Sequence, residues 1–182
     1  MTEPATTTDR PLRPLALVAW GFVVVIADLR FDGLDVLPDP LGFALVAAGL
    51  AQVRAHHPAY GVGAAAGALG VLISVPAVLG EPTGLLATLA AVAQTVVVFA
   101  TCTALVATVP RVRGSADVLR WADLGLMLVS ASFAFALDSG STGDDGLALT
   151  VAGLVLVALG VAVWFVVVVV RASQEQPVPR FR

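Results

Sequence analysis

The chain has 182 residues, of which 58% are hydrophobic and only 13% are charged, and its mean hydropathy is +0.94. Soluble domains carry charge on about a quarter of their residues, so this composition excludes an ordinary soluble fold and indicates an integral membrane protein. The net charge is −3, and the ten basic residues are arginines spread along the chain, a pattern that does not suit nucleic-acid binding. The single cysteine, Cys102, excludes an intramolecular disulfide.

The first predicted elements are a flexible tail and a short apolar helix. Residues 1–14 contain three prolines and little apolar surface, so we predict a flexible N-terminal tail. The first helix is predicted over 15–27, and no small-x-small cleavage pattern follows it, so we interpret it as a retained helix and not as a signal peptide. It is shorter than the roughly 20 residues that cross a bilayer.

An acidic, proline-containing stretch leads into the second helix. Asp39 is a suitable N-cap and Pro40 a suitable first helical residue, so this helix is predicted from Pro40 to about Val53. It is also short. We therefore expect the segment 28–43 to form a compact cap on the outer membrane surface, or a turn that re-enters the membrane, and to position the second helix.

The third helix is predicted over 60–79 and is rich in glycine and alanine. Gly63 and Gly67 form a small-xxx-small pattern, which lets another helix approach closely. The partner could be a helix of the same chain, another membrane protein or a second copy of this chain in a homo-oligomer. We predict helix packing and not a pore lining for this face.

Three more helices complete the predicted membrane domain, which extends over 15–170. The fourth is predicted over 85–109 and the sixth over 147–170. The fifth begins near Ser115 with an amphipathic start that contains Arg120, Trp121 and Asp123, and its apolar part covers 124–137. The Trp121 indole suits the membrane interface. Residues 171–182 are predicted to be a flexible C-terminal tail. The fold class is thus an all-α polytopic bundle of six transmembrane helices, arranged as three hairpins.

Arginine distribution gives the predicted orientation. Six helices place both termini on one side, together with nine of the ten arginines, while Arg30 alone lies on the other side. Short cytoplasmic loops are enriched in Lys and Arg, so both termini are predicted to be cytoplasmic. The use of arginine without lysine, with much Ala, Val and Gly, is typical of a bacterial protein. We therefore predict a multi-pass protein of the bacterial plasma membrane, with the lipid bilayer as its main partner.

The acidic stretch raises the hypothesis of an enzyme. Asp28, Asp32, Asp35 and Asp39 have a spacing that could hold Mg²⁺ against a diphosphate, as a lipid-diphosphate transferase requires. However, no second acidic motif follows, and the segment is predicted to face away from a cytoplasmic donor. No phosphate loop, nucleophile elbow or zinc-protease motif occurs either. We predict a protein that is not an enzyme and has no metal or cofactor.

Two other classes of function stay open. The first is a structural, regulatory or partner-binding membrane protein. The second is a transporter or channel for a small solute or an ion, which would need polar groups that converge inside the bilayer. The polar side chains available for this are Gln94 and Thr95 on the fourth helix, with Ser130 and Ser132 on the fifth. The N-terminus of the short second helix could add a positive dipole end, as in some transporters.

The stretch from Leu34 to Phe43 reads Leu-Asp-Val-Leu-Pro-Asp-Pro-Leu-Gly-Phe. It resembles a segment of small, uncharacterised multi-pass bacterial membrane proteins, in which an apolar-Asp-x-x-Pro-Asp-x-x-Gly-aromatic pattern links the first two helices. This resemblance covers about twenty residues, and it implies membership of a group without implying a biochemical activity. It also implies that five residues act together as a binding or structural motif, namely Asp35, Pro38, Asp39, Gly42 and Phe43.

Overall fold

The computed structural model describes residues 12–27, 30–31, 34–35, 39–79, 84–138 and 144–175. These residues form six α-helices, which confirms the predicted helical fold. They are α1 (Leu15–Ala27), α2 (Asp39–Val53), α3 (Pro58–Leu79), α4 (Gly84–Thr108), α5 (Arg113–Asp138) and α6 (Asp144–Ser173), and a 3₁₀ turn over Pro110–Val112 precedes α5.

A very short β-ladder, which the sequence did not predict, lies between α1 and α2. Its strands are β1 (Arg30–Phe31) and β2 (Leu34–Asp35), and they pair antiparallel with Arg30 opposite Asp35. The chain therefore reverses direction within the acidic segment itself. Asp28, Asp32 and Pro38 lie outside the described residues.

Four helices are long and apolar enough to cross a membrane: α3, α4, α5 and α6. The other two have 13 and 15 residues, which at 1.5 Å per residue gives about 20 and 23 Å. A hydrocarbon core of about 30 Å is thicker than either. These lengths agree with the prediction that α1 and α2 are short.

The helices form a closed ring. Each helix packs against its neighbours in sequence, and α6 closes the ring against α1. Neighbouring helices run in opposite directions. For example, the start of α3 meets the end of α4 through Tyr60 and Thr108, and Arg111 before α5 pairs with Glu175 after α6. Residues 12 and 175 therefore lie at one end of the bundle, the terminal end, and Ala27 and Gly84 lie at the opposite, far end.

Helices α1 and α2 touch through their backbones. A Cβ atom placed on Gly42 would lie 2.8 Å from the carbonyl oxygen of Gly21, and one on Gly49 would lie 2.7 Å from that of Pro14. Side chains larger than hydrogen would push the helices apart at both points. Small residues at such a crossing allow close van der Waals packing, which is a main source of helix association in lipid.

The small-residue face of α3 packs inside the chain. A Cβ atom on Gly63 would lie 2.9 Å from Leu50, and one on Gly67 would lie 3.2 Å from the backbone of Ala47. Both neighbours belong to α2. The predicted close approach of a helix to this face thus occurs with α2.

The fully buried side chains concentrate at the terminal end. They include Leu12, so the chain joins the core three residues before α1, within the stretch predicted as a tail. At the other terminus α6 continues to Ser173, three residues beyond the predicted boundary. Other members of this core, all from the halves of the helices nearest the terminal end, are Leu15, Val18, Leu50, Val53, Tyr60, Leu105, Val109, Leu119, Val169 and Ala172. Two cavities extend from the middle of the bundle into its far half.

Candidate functional site

The larger cavity has a volume of about 390 Å³ and lies between α4, α5 and α6, with Phe22 of α1 at its inner end. We call it the Asp123 cavity. Its wall is mostly alanine and other apolar side chains, interrupted by a few polar groups. The polar residues are Thr88, Gln94, Thr95, Asp123 and Ser130. A mainly apolar pocket with a few converging polar groups is the usual form of a small-molecule site.

The polar groups form a strip along the facing sides of α4 and α5. Thr95 faces the Asp123 carboxylate with its hydroxyl. Seven residues away on each antiparallel helix, Thr88 and Ser130 line the same cavity. A seven-residue step is close to two helical turns, so both pairs lie on the cavity side of their helices. The Thr88 hydroxyl donates to the Gly84 carbonyl over 2.8 Å, which satisfies its donor.

Asp123 is the only ionisable side chain that lines this cavity among the described residues. Its Oδ2 atom is buried and accepts no hydrogen bond from any described group. A buried acceptor that is left without a hydrogen-bond partner costs about 1–3 kcal/mol of stability, and a charged acceptor costs more. This oxygen therefore keeps a hydrogen-bonding capacity that no described group uses.

Asp123 lies near the middle of the bundle. Its partner Thr95 is 11 residues after Gly84 and 13 residues before Thr108, which are the ends of α4. The sequence predicted Asp123 in the amphipathic start of the fifth helix, near the membrane surface. The structure places it deeper, because α5 begins at Arg113 and crosses the middle of α4. The seven-residue spacing of Asp123 and Ser130, matched by Thr88 and Thr95, was the signal in the sequence.

Arg120 does not neutralise Asp123. Its guanidinium pairs instead with Asp117 at 2.5 Å, on the preceding turn of α5. It also lies 5.8 Å from the centre of the Phe99 ring and 5.5 Å from that of Trp121, within cation–π range. Arg120 is held by these contacts, and it forms no salt bridge with Asp123 in the part of the chain that the structure describes.

A second cavity of about 270 Å³, the Asp39 cavity, lies between α1, α2, α3 and α4. It brings together two residues of the predicted motif, Asp39 and Phe43. Gly42 packs against α1 and Asp35 belongs to β2, while Pro38 lies outside the described residues. The described part of the motif thus contributes to one cavity and one helix contact.

The predicted intramembrane polar residues both face the interior. Gln94 lines both cavities, whereas Thr95 lines the Asp123 cavity alone. Of the two serines considered with them, Ser130 lines the Asp123 cavity. Ser132 is exposed, and its hydroxyl donates to the Leu128 carbonyl of its own helix over 2.8 Å, so it does not join the polar strip.

The two histidines have local structural contacts. The Nδ1 atom of His57 accepts the backbone N–H of Ala59 at 3.1 Å, at the first turn of α3. The Nδ1 atom of His56 lies 3.2 Å from the carbonyl oxygen of Val53. No group of three or more His, Cys, Asp or Glu side chains in the described part of the chain could hold a metal ion.

Comparison of the chain with protein-family profiles, with characterised proteins and with solved structures gave no match. We therefore infer the function of the protein from the geometry and chemistry of the two cavities.

Proposed function

We propose that the protein is a six-span protein of the bacterial plasma membrane that binds and transports a small monovalent cation or protonated amine. The observation that carries this proposal is the buried Asp123 carboxylate in the 390 Å³ cavity, with one oxygen that no described group satisfies. Ionisable residues at membrane depth are costly and usually belong to a substrate or ion path. We propose binding and transport without catalysis.

The cavity wall favours a singly charged ligand. One carboxylate with hydroxyl and amide neighbours offers one negative charge, whereas Mg²⁺ and Ca²⁺ prefer several carboxylate or phosphate oxygens. Gln94, Thr95 and Ser130 add neutral oxygen acceptors to the charge of Asp123. The apolar remainder of the wall suits the hydrocarbon part of an amine. The volume is several times the roughly 30 Å³ that one water molecule occupies in the liquid, so it accommodates a small organic cation.

The proposed topology has both termini in the cytoplasm, as the arginine distribution predicts. In this arrangement α1 and α2 cross the membrane together with the segment between them. Cysteine labelling tests it in a Cys102→Ala background, which leaves no other thiol. Ser141→Cys is expected to react with an impermeant reagent added outside intact cells, and Arg113→Cys only after the membrane is opened. The opposite pattern would contradict the orientation.

Binding is tested by the thermal stability of the purified protein in lipid nanodiscs. Sodium, potassium or methylammonium chloride is expected to raise the midpoint of unfolding, at constant ionic strength maintained with magnesium chloride. A ligand at 100 times its Kd stabilises the folded state by about 2.7 kcal/mol. Asp123→Asn is expected to abolish the shift while the protein stays folded.

Asp117→Asn is the matched control, because Asp117 is on the same helix but pairs with Arg120 and does not line the cavity. It is expected to keep the cation-dependent shift. Loss of the shift in both variants, or in neither, would contradict a site at Asp123. A purely structural or partner-binding protein predicts that Asp123→Asn changes stability equally with and without the cations.

A further inference from the structure

The two cavities meet at one face of α4. Both are lined by Ala87, Ala91 and Gln94. These residues follow one another at steps of four and three, so they form a single stripe on the helix. Two of the three are alanines, which leave little side-chain volume between the cavities. Gln94 is the one large polar side chain at the junction.

An acidic residue lies in each cavity. Asp39 is the first residue of α2, at the far end of the bundle, and it lines the Asp39 cavity. Asp123 lies deeper, opposite the middle of α4. These are the only ionisable side chains lining either cavity in the described residues. The charge of the Asp123 carboxylate in a low-dielectric cleft raises the local concentration of cations.

The terminal end of the Asp123 cavity is closed by aromatic rings. The centres of the Phe22 and Phe165 rings are 4.5 Å apart, and both side chains are almost completely buried. Val98 borders the same part of the cavity, and Cys102 and Leu105, one and two turns further along α4, are fully buried. A packed apolar layer of this kind excludes water. We call Phe22, Val98 and Phe165 the floor.

We infer that the two cavities form one cation-selective vestibule that opens at the far end of the bundle, passes Gln94 to reach Asp123, and is closed toward the terminal end by the floor. This inference rests on the proposed function, which it extends by naming the side of entry. Transport across the membrane then requires Phe22 and Phe165 to separate, so the structure corresponds to a state closed at the terminal end.

Thiol accessibility tests the vestibule in full-length protein reconstituted in liposomes, again in the Cys102→Ala background. Ala91→Cys introduces a thiol into the shared stripe. The probes are two methanethiosulfonates, one bearing a trimethylammonium group and one bearing a sulfonate, added to either face. Ala91→Cys is expected to react from the far side. Relative to the rate of each probe with free 2-mercaptoethanol, the reaction is expected to be at least about tenfold faster with the cationic probe, because of the Asp123 carboxylate. The variant is not expected to react from the terminal side.

Two variants serve as controls. Ala104→Cys carries a thiol on the same helix in the fully buried core beyond the floor, and it is expected to react from neither side. Phe165→Ala, combined with Ala91→Cys, removes half of the ring contact and is expected to permit reaction from the terminal side. Phe165→Leu is the milder alternative if the alanine variant does not elute as a folded species on gel filtration.

The vestibule is overturned if Ala91→Cys reacts equally from both faces, reacts from neither, or shows no preference for the cationic probe. Failure here is separable from failure of the proposed function. If the cation-dependent stabilisation still requires Asp123 but Ala91→Cys is closed to the far side, the binding site stands and the route is wrong. If Ala91→Cys behaves as expected but Asp123→Asn keeps the stabilisation, the route stands and the site is wrong.

Discussion

The substitution Gly42→Ala gives a direct measure of the contact between α1 and α2. An added Cβ atom would lie 2.8 Å from the carbonyl oxygen of Gly21 and 2.5 Å from a methyl group of Val25. The valine side chain can rotate, but the Gly21 oxygen belongs to the backbone of a helix and cannot. Ordinary C···O contacts lie at about 3.3–3.6 Å, so the two helices must separate by about half an ångström or more.

The expected loss of stability follows from two opposing terms. Overpacking of a tight contact typically costs about 1–3 kcal/mol. Replacing glycine by alanine inside a helix returns about 0.5–1 kcal/mol, because glycine has the greater backbone entropy in the unfolded chain. We therefore expect Gly42→Ala to lower the free energy of unfolding by about 0–2.5 kcal/mol, which is about 1–3 kcal/mol worse than the same change at a helical glycine without this contact.

The assay is equilibrium unfolding by titration of SDS into protein held in mild detergent micelles, followed by far-UV circular dichroism. Gly61→Ala is the matched control, because a Cβ atom at this helical position would have no neighbour within 4 Å. It is expected to be neutral or slightly stabilising. If Gly42→Ala and Gly61→Ala have the same effect, the backbone contact between α1 and α2 is not tight and the explanation of Gly42 is wrong.

Two further predictions use the same titration. Phe43 is 4% exposed, and its ring lies over Gly70 of α3, within 2.8 Å of a Cβ atom added there. Phe43→Ala should therefore lower the free energy of unfolding by about 3–5 kcal/mol, and Phe43→Leu by less than half as much. Equal losses in the two variants would show that the ring is not packed. Tyr60→Phe removes one hydrogen bond of 3.3 Å to Thr108 and should cost about 0.5–1.5 kcal/mol, because Thr108 keeps its bond of 2.7 Å to Ala104. A cost above about 3 kcal/mol would mean that Thr108 is left unsatisfied.

In the acidic segment, the start of α2 was predictable from nearby residues, but the contacts of the segment with other helices were not. The sequence predicted that α2 would begin at Pro40 with Asp39 as its N-cap, and the helix begins one residue earlier, at Asp39. The start is predictable this closely because capping and proline geometry depend on a few adjacent residues. The resemblance grouped Gly42 and Phe43 with the acids. Their contacts are with Gly21 and Gly70, which come from two other helices. A local sequence motif cannot reveal such partners, because they depend on how the helices cross in three dimensions.

The candidate site was predictable in part. Gln94 and Thr95 were selected because polar groups in an apolar run are costly in lipid and are expected to face the bundle interior. Asp123 was placed at the membrane surface instead, because Arg120 and Trp121 precede it and look interfacial. Whether such a residue is superficial or deep is decided by the neighbouring helix, and here Thr95 at the middle of α4 sets the depth.

The sequence by itself determined the class of protein, the number of helices and most of their boundaries, because hydrophobicity and helix signals are properties of consecutive residues. It also supplied the arginine asymmetry on which the proposed orientation depends. Only the tertiary structure decided which glycines touch a backbone, that α3 uses its small-residue face on α2, and that Asp123 and Gln94 share a cavity. Those features depend on distances between residues that are far apart in the sequence, on helices that pack against one another around the ring.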